Sequence, residues 1–320
     1  MFYKRLFVVF FLGFISIMAL AVGLLWLIDP VEIFGSPIIQ GFNDQKVREG
    51  LVLDVVKPYQ YIRTRPDVLY IGNSRVYVGL GPVPGDNVKA YNMGQSSMSM
   101  PDMLDYLKFC CMYHKPKVIY IGLDIEQFGK ENYFLEREGY SKDRLNNLMS
   151  CKTILEQYYY LLQDGIMFGS IEYMEEVVKA SYTSSDHCPL FYAGCDLKRG
   201  LSDGRDQDIY DVVLESFHEK YYRWEYEPQS MIKFKEIVTF LNEQDVKVVY
   251  FFNPISKDLL DIQDINGLTS VYSSIKKEVS DFVEVTDFAT VNDITSDLSN
   301  FYDPSHYRIR AGVKILENLH

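Results

Sequence analysis

Residues 68–75 read VLYIGNSR, and this stretch contains both a predicted strand and a candidate nucleophile. The apolar run ends in small and polar residues, which is typical of a buried parallel strand followed by a tight turn. Gly72 and Asn73 accept unusual backbone angles, so the turn can expose the Ser74 hydroxyl at the carboxyl end of the strand. The sequence predicts a nucleophilic serine here, and a helix N-cap serine is the structural alternative.

Similar apolar runs recur along the chain and predict further strands, at 88–92, 118–122, 246–252 and 282–285. Segments with helical periodicity lie between them, at 101–114, 229–243, 266–280 and 309–319. This alternation predicts an α/β domain of three layers, in which helices cover both faces of a parallel sheet.

Two regions depart from the alternation of strands and helices. Residues 131–228 include a helical section at 144–180 and are interpreted as an insertion, of the kind that forms a lid or partner surface beside a site. Residues 31–65 have no clean period and are interpreted as a linker that has room for one short helix. The domain itself is expected to cover residues 66–320.

The N-terminal segment 6–28 reads LFVVFFLGFISIMALAVGLLWLI and carries no charge. A helix of this length spans about 34 Å, enough to cross a bilayer. Lys4 and Arg5 precede it, and because cytoplasmic flanks favour basic residues, the rest of the chain is expected outside the cytoplasm. The alternative is a signal peptide cleaved after the small-x-small motif at 19–21, but cleavage there would leave VGLLWLI at the new N-terminus. Residues 1–30 are therefore interpreted as an uncleaved anchor.

Charge and cysteine content restrict the partners and cofactors that we expect. The net charge of −12 gives an acidic surface that repels phosphate backbones, so nucleic acid is not expected as a partner. Cys188 and Cys195 bracket the short loop CPLFYAGC and are the best disulfide candidates in an oxidising compartment. Cys110 and Cys111 end the apolar stripe of a predicted helix and are interpreted as small buried residues. The His and Cys spacing of a zinc site is absent from the sequence, so no metal and no other cofactor is expected.

The stretch FYDPSHYR (301–308) places Asp303 three residues before His306, ahead of the last predicted helix. One imidazole nitrogen can reach a nucleophile while the carboxylate accepts a hydrogen bond from the other and fixes the tautomer. The structural alternative is an Asp-Pro turn that happens to precede a histidine. The other histidines, which lack a comparable carboxylate spacing, are assigned to the surface or to packing: His114, His187, His218 and His320.

The GNS turn at 72–74, the stretch YNMGQSS (91–97) and the DPSHY stretch (303–307) together resemble the SGNH/GDSL hydrolase superfamily. The resemblance covers about 66–130 and 229–318 and implies a flavodoxin-like α/β/α fold. It also implies site roles: Ser74 as nucleophile, the Asp303–His306 pair as its base, and the Gly94 amide as an oxyanion donor beside the Ser74 amide. A glycine suits that position because a Cβ would intrude on the oxyanion.

One motif departs from the family pattern. The turn IGLDIEQF (121–128) has Asp124 where the family has an Asn that donates to the oxyanion, and an ionised carboxylate cannot donate. Either the hole uses only the Ser74 and Gly94 amides, or Asn253 in FFNPIS substitutes, or the site is degenerate. With two amides, Asp124 should point away from the oxyanion and be engaged by an N–H, a hydroxyl or a cation.

The YIGLD-like turn is similar to that of the bacterial membrane-tethered branch of this family, which includes alginate acetylation proteins and the D-alanyl transfer protein of teichoic acid synthesis. This similarity implies a single-pass protein of the bacterial inner membrane with a periplasmic or extracellular domain. It also implies a membrane-bound O-acyltransferase as partner and a polysaccharide as acceptor.

The sequence therefore predicts serine-dependent O-acyl transfer, of acetyl in particular, to a cell-surface polysaccharide. An esterase that gives the acyl group to water is the first alternative, and residue types do not separate the two. The second alternative is a non-catalytic binding or scaffold protein that partners the membrane-bound O-acyltransferase, and Asp124 in place of Asn is its best support.

Overall fold

The computed structural model describes residues 2–46, 50–81, 88–135, 142–168, 171–183, 191–192, 195–196 and 207–319. The chain forms two compact units. One consists of Met1–Gln60 and Ser150–Pro189, and the other of Tyr61–Met149 and Leu190–His320.

The second unit is built on a five-stranded sheet with the order β2-β1-β3-β6-β7. All of its strand pairings are parallel. The strands are β1 Val68–Ile71, β2 Ala90–Asn92, β3 Val118–Leu123, β6 Lys247–Phe252 and β7 Val285–Asp287. A short antiparallel pair, β4 Phe191–Tyr192 and β5 Cys195–Asp196, lies outside this sheet. The predicted α/β fold with a parallel sheet is confirmed.

The helices of the second unit lie between these strands and after the last of them. They are α3 Ser74–Gly79, α4 Met100–Tyr113, α5 Lys130–Tyr133, α6 Lys142–Ser150, α9 Gln207–Tyr222, α10 Pro228–Asn242, α11 Lys257–Ile265, α12 Leu268–Ser280, α13 Asp293–Ser296 and α14 Ile309–Asn318. Two 3₁₀ turns, Ile125–Phe128 and Leu298–Asn300, follow β3 and precede the last loop.

Side chains of the sheet alternate between two buried faces, as expected for a parallel sheet covered on both sides. Tyr70, Tyr120 and Phe251 lie on one face and pack in a cluster with Ala311 and Ile315 of α14. Neighbouring strand residues such as Leu69, Ile71 and Ile119 are also fully buried. The last helix thus covers the sheet face beneath the loop that carries Asp303 and His306.

The strand predicted at 282–285 is wrong in position, because β7 begins at Val285. The amides of Phe282 and Val283 donate to the Val279 carbonyl, 3.0 and 3.1 Å away, and so complete the end of α12. Phe282 and Val283 have a composition typical of a strand, but their amides bond to a carbonyl at the end of a helix. They therefore terminate the helix and do not begin the strand.

The insertion is less uniform than the predicted helical section at 144–180. Its helices are α6 Lys142–Ser150, α7 Ile154–Phe168, α8 Ile171–Thr183 and α9 Gln207–Tyr222. Residues 150–189 group with the N-terminal segment in the first unit. That unit also contains most of α2 Gly50–Thr64, a 15-residue helix in the region interpreted as a linker, and the last four residues of α2 belong to the second unit.

The first unit begins with α1 Phe2–Ile28. Within Tyr3–Ile28 an 18-residue stretch has a mean hydropathy of 2.7, and the helix is long and apolar enough to cross a membrane, which is consistent with a single span or a signal sequence. Asp29 ends the helix, since its carboxylate accepts hydrogen bonds from the Phe34 and Ser36 amides at 3.0 and 3.1 Å. Lys46 Nζ donates to the Ile28 carbonyl at 2.7 Å and satisfies an acceptor at the end of the helix.

Candidate active site

Ser74 lies where β1 has ended and α3 begins. Asn73 is the N-cap of α3, and its side-chain oxygen accepts a hydrogen bond from the Arg75 amide at 2.9 Å. The capping role that was the structural alternative for Ser74 therefore belongs to its neighbour. Ser74 is the first residue of the helix and is half-buried, so its hydroxyl is available to a partner from another element.

His306 supplies that partner from the loop before α14. Its Nε2 lies 2.8 Å from Ser74 Oγ, and its Nδ1 lies 2.7 Å from Asp303 Oδ2. The structure thus brings the three residues together, although Ser74 and His306 lie 232 positions apart in the chain. The Asp-Pro turn is present, and its carboxylate is used to hold the imidazole.

The Asp303 carboxylate is held in place by the backbone of its own loop. Its Oδ1 accepts hydrogen bonds from the amides of Ser305 and His306, at 2.8 and 2.9 Å. Burial opposes ionisation of Asp303, but His306 and these amides outweigh burial and hold the pKa of Asp303 below its ordinary value. The ionised carboxylate keeps the imidazole proton on Nδ1, which leaves Nε2 free to accept the Ser74 proton.

Gly94 follows β2 and lies against α3. A Cβ at this position would come within 2.8 Å of Asn92 Oδ1 and 2.9 Å of Tyr77 N, so the close approach to the helix requires glycine. The Gly94 amide donates to Asn92 Oδ1 at 2.7 Å. The family resemblance implies that this amide holds an oxyanion. To do so, it must release Asn92 Oδ1 and donate to the oxyanion instead.

The same loop contains a strained position that the sequence did not indicate. Ser97 has a φ of 54°, a left-handed conformation that is uncommon for serine. Such conformations cluster in loops that form sites. The run of glycine and polar residues in GQSS (94–97) was the available signal.

Asp124 follows β3 and is 1% exposed. Its Oδ1 lies 2.5 Å from Arg75 Nη1, and its Oδ2 accepts a hydrogen bond from Asn253 Nδ2 at 2.8 Å. The carboxylate is therefore engaged by a cation and an amide, as expected if the oxyanion hole uses backbone donors.

Asn253 follows β6, and its side chain is hydrogen-bonded to neighbouring polar groups. Besides Asp124, its Nδ2 contacts the Leu123 carbonyl at 3.4 Å, while its Oδ1 accepts a hydrogen bond from the Tyr307 hydroxyl at 2.9 Å. In this arrangement the amide that was considered as a substitute oxyanion donor is directed at Asp124.

Arg75, the residue after Ser74, links the elements of the site and was not indicated by sequence analysis. Its Nε donates to the Ser305 carbonyl and hydroxyl at 3.2 and 3.1 Å, in the loop between Asp303 and His306. Its Nη1 and Nη2 donate to the two Glu126 carboxylate oxygens, both at 2.7 Å. The helix that begins with Ser74 and the loop that carries Asp303 and His306 are thus joined through one guanidinium.

The buried charges around Arg75 shift one another's pKa values. Burial opposes the Arg75 charge, but Asp124 and Glu126 outweigh it and raise the pKa of Arg75. Burial also opposes ionisation of Glu126, but Arg75 outweighs it and lowers the pKa of Glu126 to about 2. Burial and the Glu126 charge raise the pKa of Asp124 to about 6 against the attraction of Arg75. Tyr221 supports the Glu126 charge with a hydrogen bond of 2.8 Å.

The cysteine predictions fall partly outside the described residues. Cys188 and the side chain of Cys195 are not among them, so the expected disulfide is not described. Cys110 is buried and Cys111 is partly buried, and both are free thiols, in agreement with a packing role. The β5 strand that contains Cys195 lies close to α3, the helix of Ser74.

The sequence matches no protein-family model, and no curated protein matches it. The fold and the geometry around Ser74 are therefore the observations from which a function can be argued.

Proposed function

We propose that this protein is a membrane-tethered serine acyltransferase similar to the SGNH hydrolases. It moves an acyl group, acetyl in particular, to a hydroxyl of a cell-surface polysaccharide. The observation that carries the proposal is the hydrogen-bonded series from Asp303 through His306 to Ser74, at the carboxyl end of a central strand. This series is the arrangement that activates a serine hydroxyl.

The chemistry follows from these contacts. Ser74 Oγ bonds to the acyl carbon of the donor while its proton moves to His306 Nε2. The tetrahedral intermediate then collapses, the leaving group takes that proton, and an acyl-serine remains. The acceptor hydroxyl gives its proton to His306 and attacks the acyl-serine, and Ser74 recovers the proton as the new ester leaves. Asp303 orients the imidazole and stabilises its charged form in both halves of the reaction.

The developing oxyanion is held by the amides of Ser74 and Gly94. The second donor becomes available when the Gly94 amide exchanges Asn92 Oδ1, now 2.7 Å away, for the substrate oxygen. Water as the acceptor gives an esterase by the same steps.

The N-terminal helix supports a location at the bacterial inner membrane. Lys4 and Arg5 lie in its first turn, before its apolar part, and the acidic residues Asp29 and Glu32 follow it, which favours a periplasmic or extracellular domain. An acyl donor delivered through the membrane by a membrane-bound O-acyltransferase fits this placement. A reporter fused after the C-terminal residue should be active outside the cytoplasm, and activity of a cytoplasm-only reporter would reverse the orientation.

A non-catalytic binding or scaffold protein is the second candidate, and a specific observation favours it. Two of the candidate oxyanion donors are the backbone amide of Gly94 and the side-chain amide of Asn253. Both donate hydrogen bonds to groups of the protein itself. A site that never releases them would keep the fold and bind acyl chains or sugars without turnover.

Reaction with a fluorophosphonate separates these candidates, because it requires an activated serine but no knowledge of the natural donor. The full-length protein in membranes should be labelled, Ser74→Ala should lose all labelling, and His306→Gln should lose most of it. Ser96→Ala, at an exposed serine in the Gly94 loop, is the matched control and should be labelled like the parent. Labelling that persists in Ser74→Ala would exclude Ser74 as nucleophile, and a parent protein that does not react would favour the scaffold.

A further inference from the structure

Helix α7 of the first unit presents an apolar stripe to its surroundings. The residues follow the spacing i, i+3, i+4, i+7 and i+11, which places them on one face of a helix. Each is well exposed: Leu155 76%, Tyr158 60%, Tyr159 64%, Leu162 41% and Ile166 57%. An apolar stripe of this length is unusual on a surface that faces water.

The opposite face of α7 is fixed against the rest of its unit, so the stripe has a defined direction. Asp164 is 6% exposed and accepts a hydrogen bond from the Tyr59 hydroxyl of α2 at 2.7 Å. Gly165 lies beside Tyr158 at one flank of the stripe and packs against Phe34 so closely that a Cβ would lie 2.1 Å from its ring. These contacts hold the inner face and one flank of α7, and the stripe residues remain exposed.

The stripe is continuous with the apolar surface of α1. Tyr158 and Leu162 line a cavity together with residues from the last part of α1, namely Ala19, Val22, Gly23 and Trp26. In α1, the candidate membrane span, only 6% of the most apolar stretch is buried. Directly after this part of α1, Asp29 ends the helix, so α7 lies at the level where the apolar segment meets polar chain.

We propose that α7 lies in the membrane interface beside the end of α1, with its apolar stripe inserted among the lipids of the outer leaflet. Leucine and isoleucine side chains suit the boundary of the acyl chains, and tyrosines such as Tyr158 and Tyr159 favour the headgroup level. The helix carries Glu156 and Asp164 and no basic residue, so it inserts by apolar burial and needs no anionic lipid. Lipid is the occupant because the stripe continues a surface that is itself lipid-facing in an anchored chain.

This inference rests on retention of α1 and is independent of the chemistry at Ser74. A cleaved segment would be detected by the mass of the purified protein. Loss of residues 1–21 would overturn the lipid assignment, whereas absence of fluorophosphonate labelling would leave it unchanged.

The test uses the full-length protein in nanodiscs and tryptophan as a depth probe. The chain has two Trp, so the probes are placed in a Trp26→Phe background and the emission of Trp224 is subtracted. Leu155→Trp and Leu162→Trp place the probe on the stripe, and Gln163→Trp, an exposed polar position on the same helix, is the matched control. All three positions are exposed, so the substitutions leave the packed core unchanged.

Both stripe probes should lose emission in lipids brominated on the upper part of the acyl chain and should resist aqueous iodide. The control should show the opposite behaviour. Stripe probes that iodide quenches as strongly as the control would overturn the proposal. Probes that are shielded from iodide but unaffected by brominated lipid would also overturn it, because a second copy of the chain would then cover the stripe.

Discussion

Arg75→Met is expected to destabilise the protein, and the loss should grow as the pH rises. The guanidinium pairs with Asp124 and Glu126, whose side chains are 1% and 6% exposed. Removing it leaves two neighbouring carboxylates buried without this cation. Breaking a buried ion pair in this way costs about 3–5 kcal/mol at neutral pH.

The pH dependence follows from the direction of the pKa shifts. Without the cation, burial raises the folded pKa of both carboxyls above their unfolded values, so the folded variant binds more protons than the unfolded chain. The unfolded pKa values of the two carboxyls are about 4, and the stability of the variant is therefore highest below that pH. It falls as the pH rises through the raised pKa values of the folded state. In the parent, Glu126 has a pKa of about 2 and contributes stability that is present above its unfolded pKa and lost as the pH falls toward 2.

Urea denaturation of the full-length protein in micelles measures this effect, with Trp224 as reporter in a Trp26→Phe background. Arg223→Met is the matched control, because that arginine is exposed and its contact with Glu219 is 3.7 Å long. Such surface pairs contribute about 0–1 kcal/mol. The double variant Arg75→Met/Glu126→Gln should recover part of the loss by removing one buried charge. A loss no larger than that of the control, or one that is equal at pH 5 and pH 8, would refute the reasoning.

Three further predictions concern the site and its support. Asp303→Asn should lower the fluorophosphonate labelling rate by about 10³-fold or more, because the imidazole of His306 loses the partner that fixes its tautomer; a rate within tenfold of the parent would contradict this role. Asp124→Asn should change the rate little if the hole relies on backbone amides, whereas a gain of about 100-fold would show that the native site lacks a donor. Gly312→Ala should destabilise the protein by about 1–3 kcal/mol or more in the same urea assay, since its Cβ would lie 1.9 Å from the Gly79 carbonyl oxygen. A Gly312→Ala midpoint equal to that of the parent would mean that α14 does not pack on α3 as described.

The sequence by itself determined the class of fold and the residues of the candidate site. Short apolar runs such as 68–72 and 118–122 coincide with strands, because a strand buried on both faces needs an uninterrupted apolar composition. Ser74 and the Asp303–His306 pair could be selected because each belongs to a short motif at an element boundary. Patterns of this kind depend on residues within a few positions of one another, and a sequence displays them directly.

Only the tertiary structure decided which polar groups meet behind Ser74. The Arg75 contacts to Asp124 and Glu126 join residues 49 and 51 positions apart, and the contact to Ser305 spans 230. These pairings follow from the strand order, which places the ends of β1, β3 and β6 side by side, and local composition does not specify that order. The elements that pack around a buried polar side chain determine its partner. The hydrogen bonds of the Asn253 side chain and of the Gly94 amide therefore became visible only with the fold.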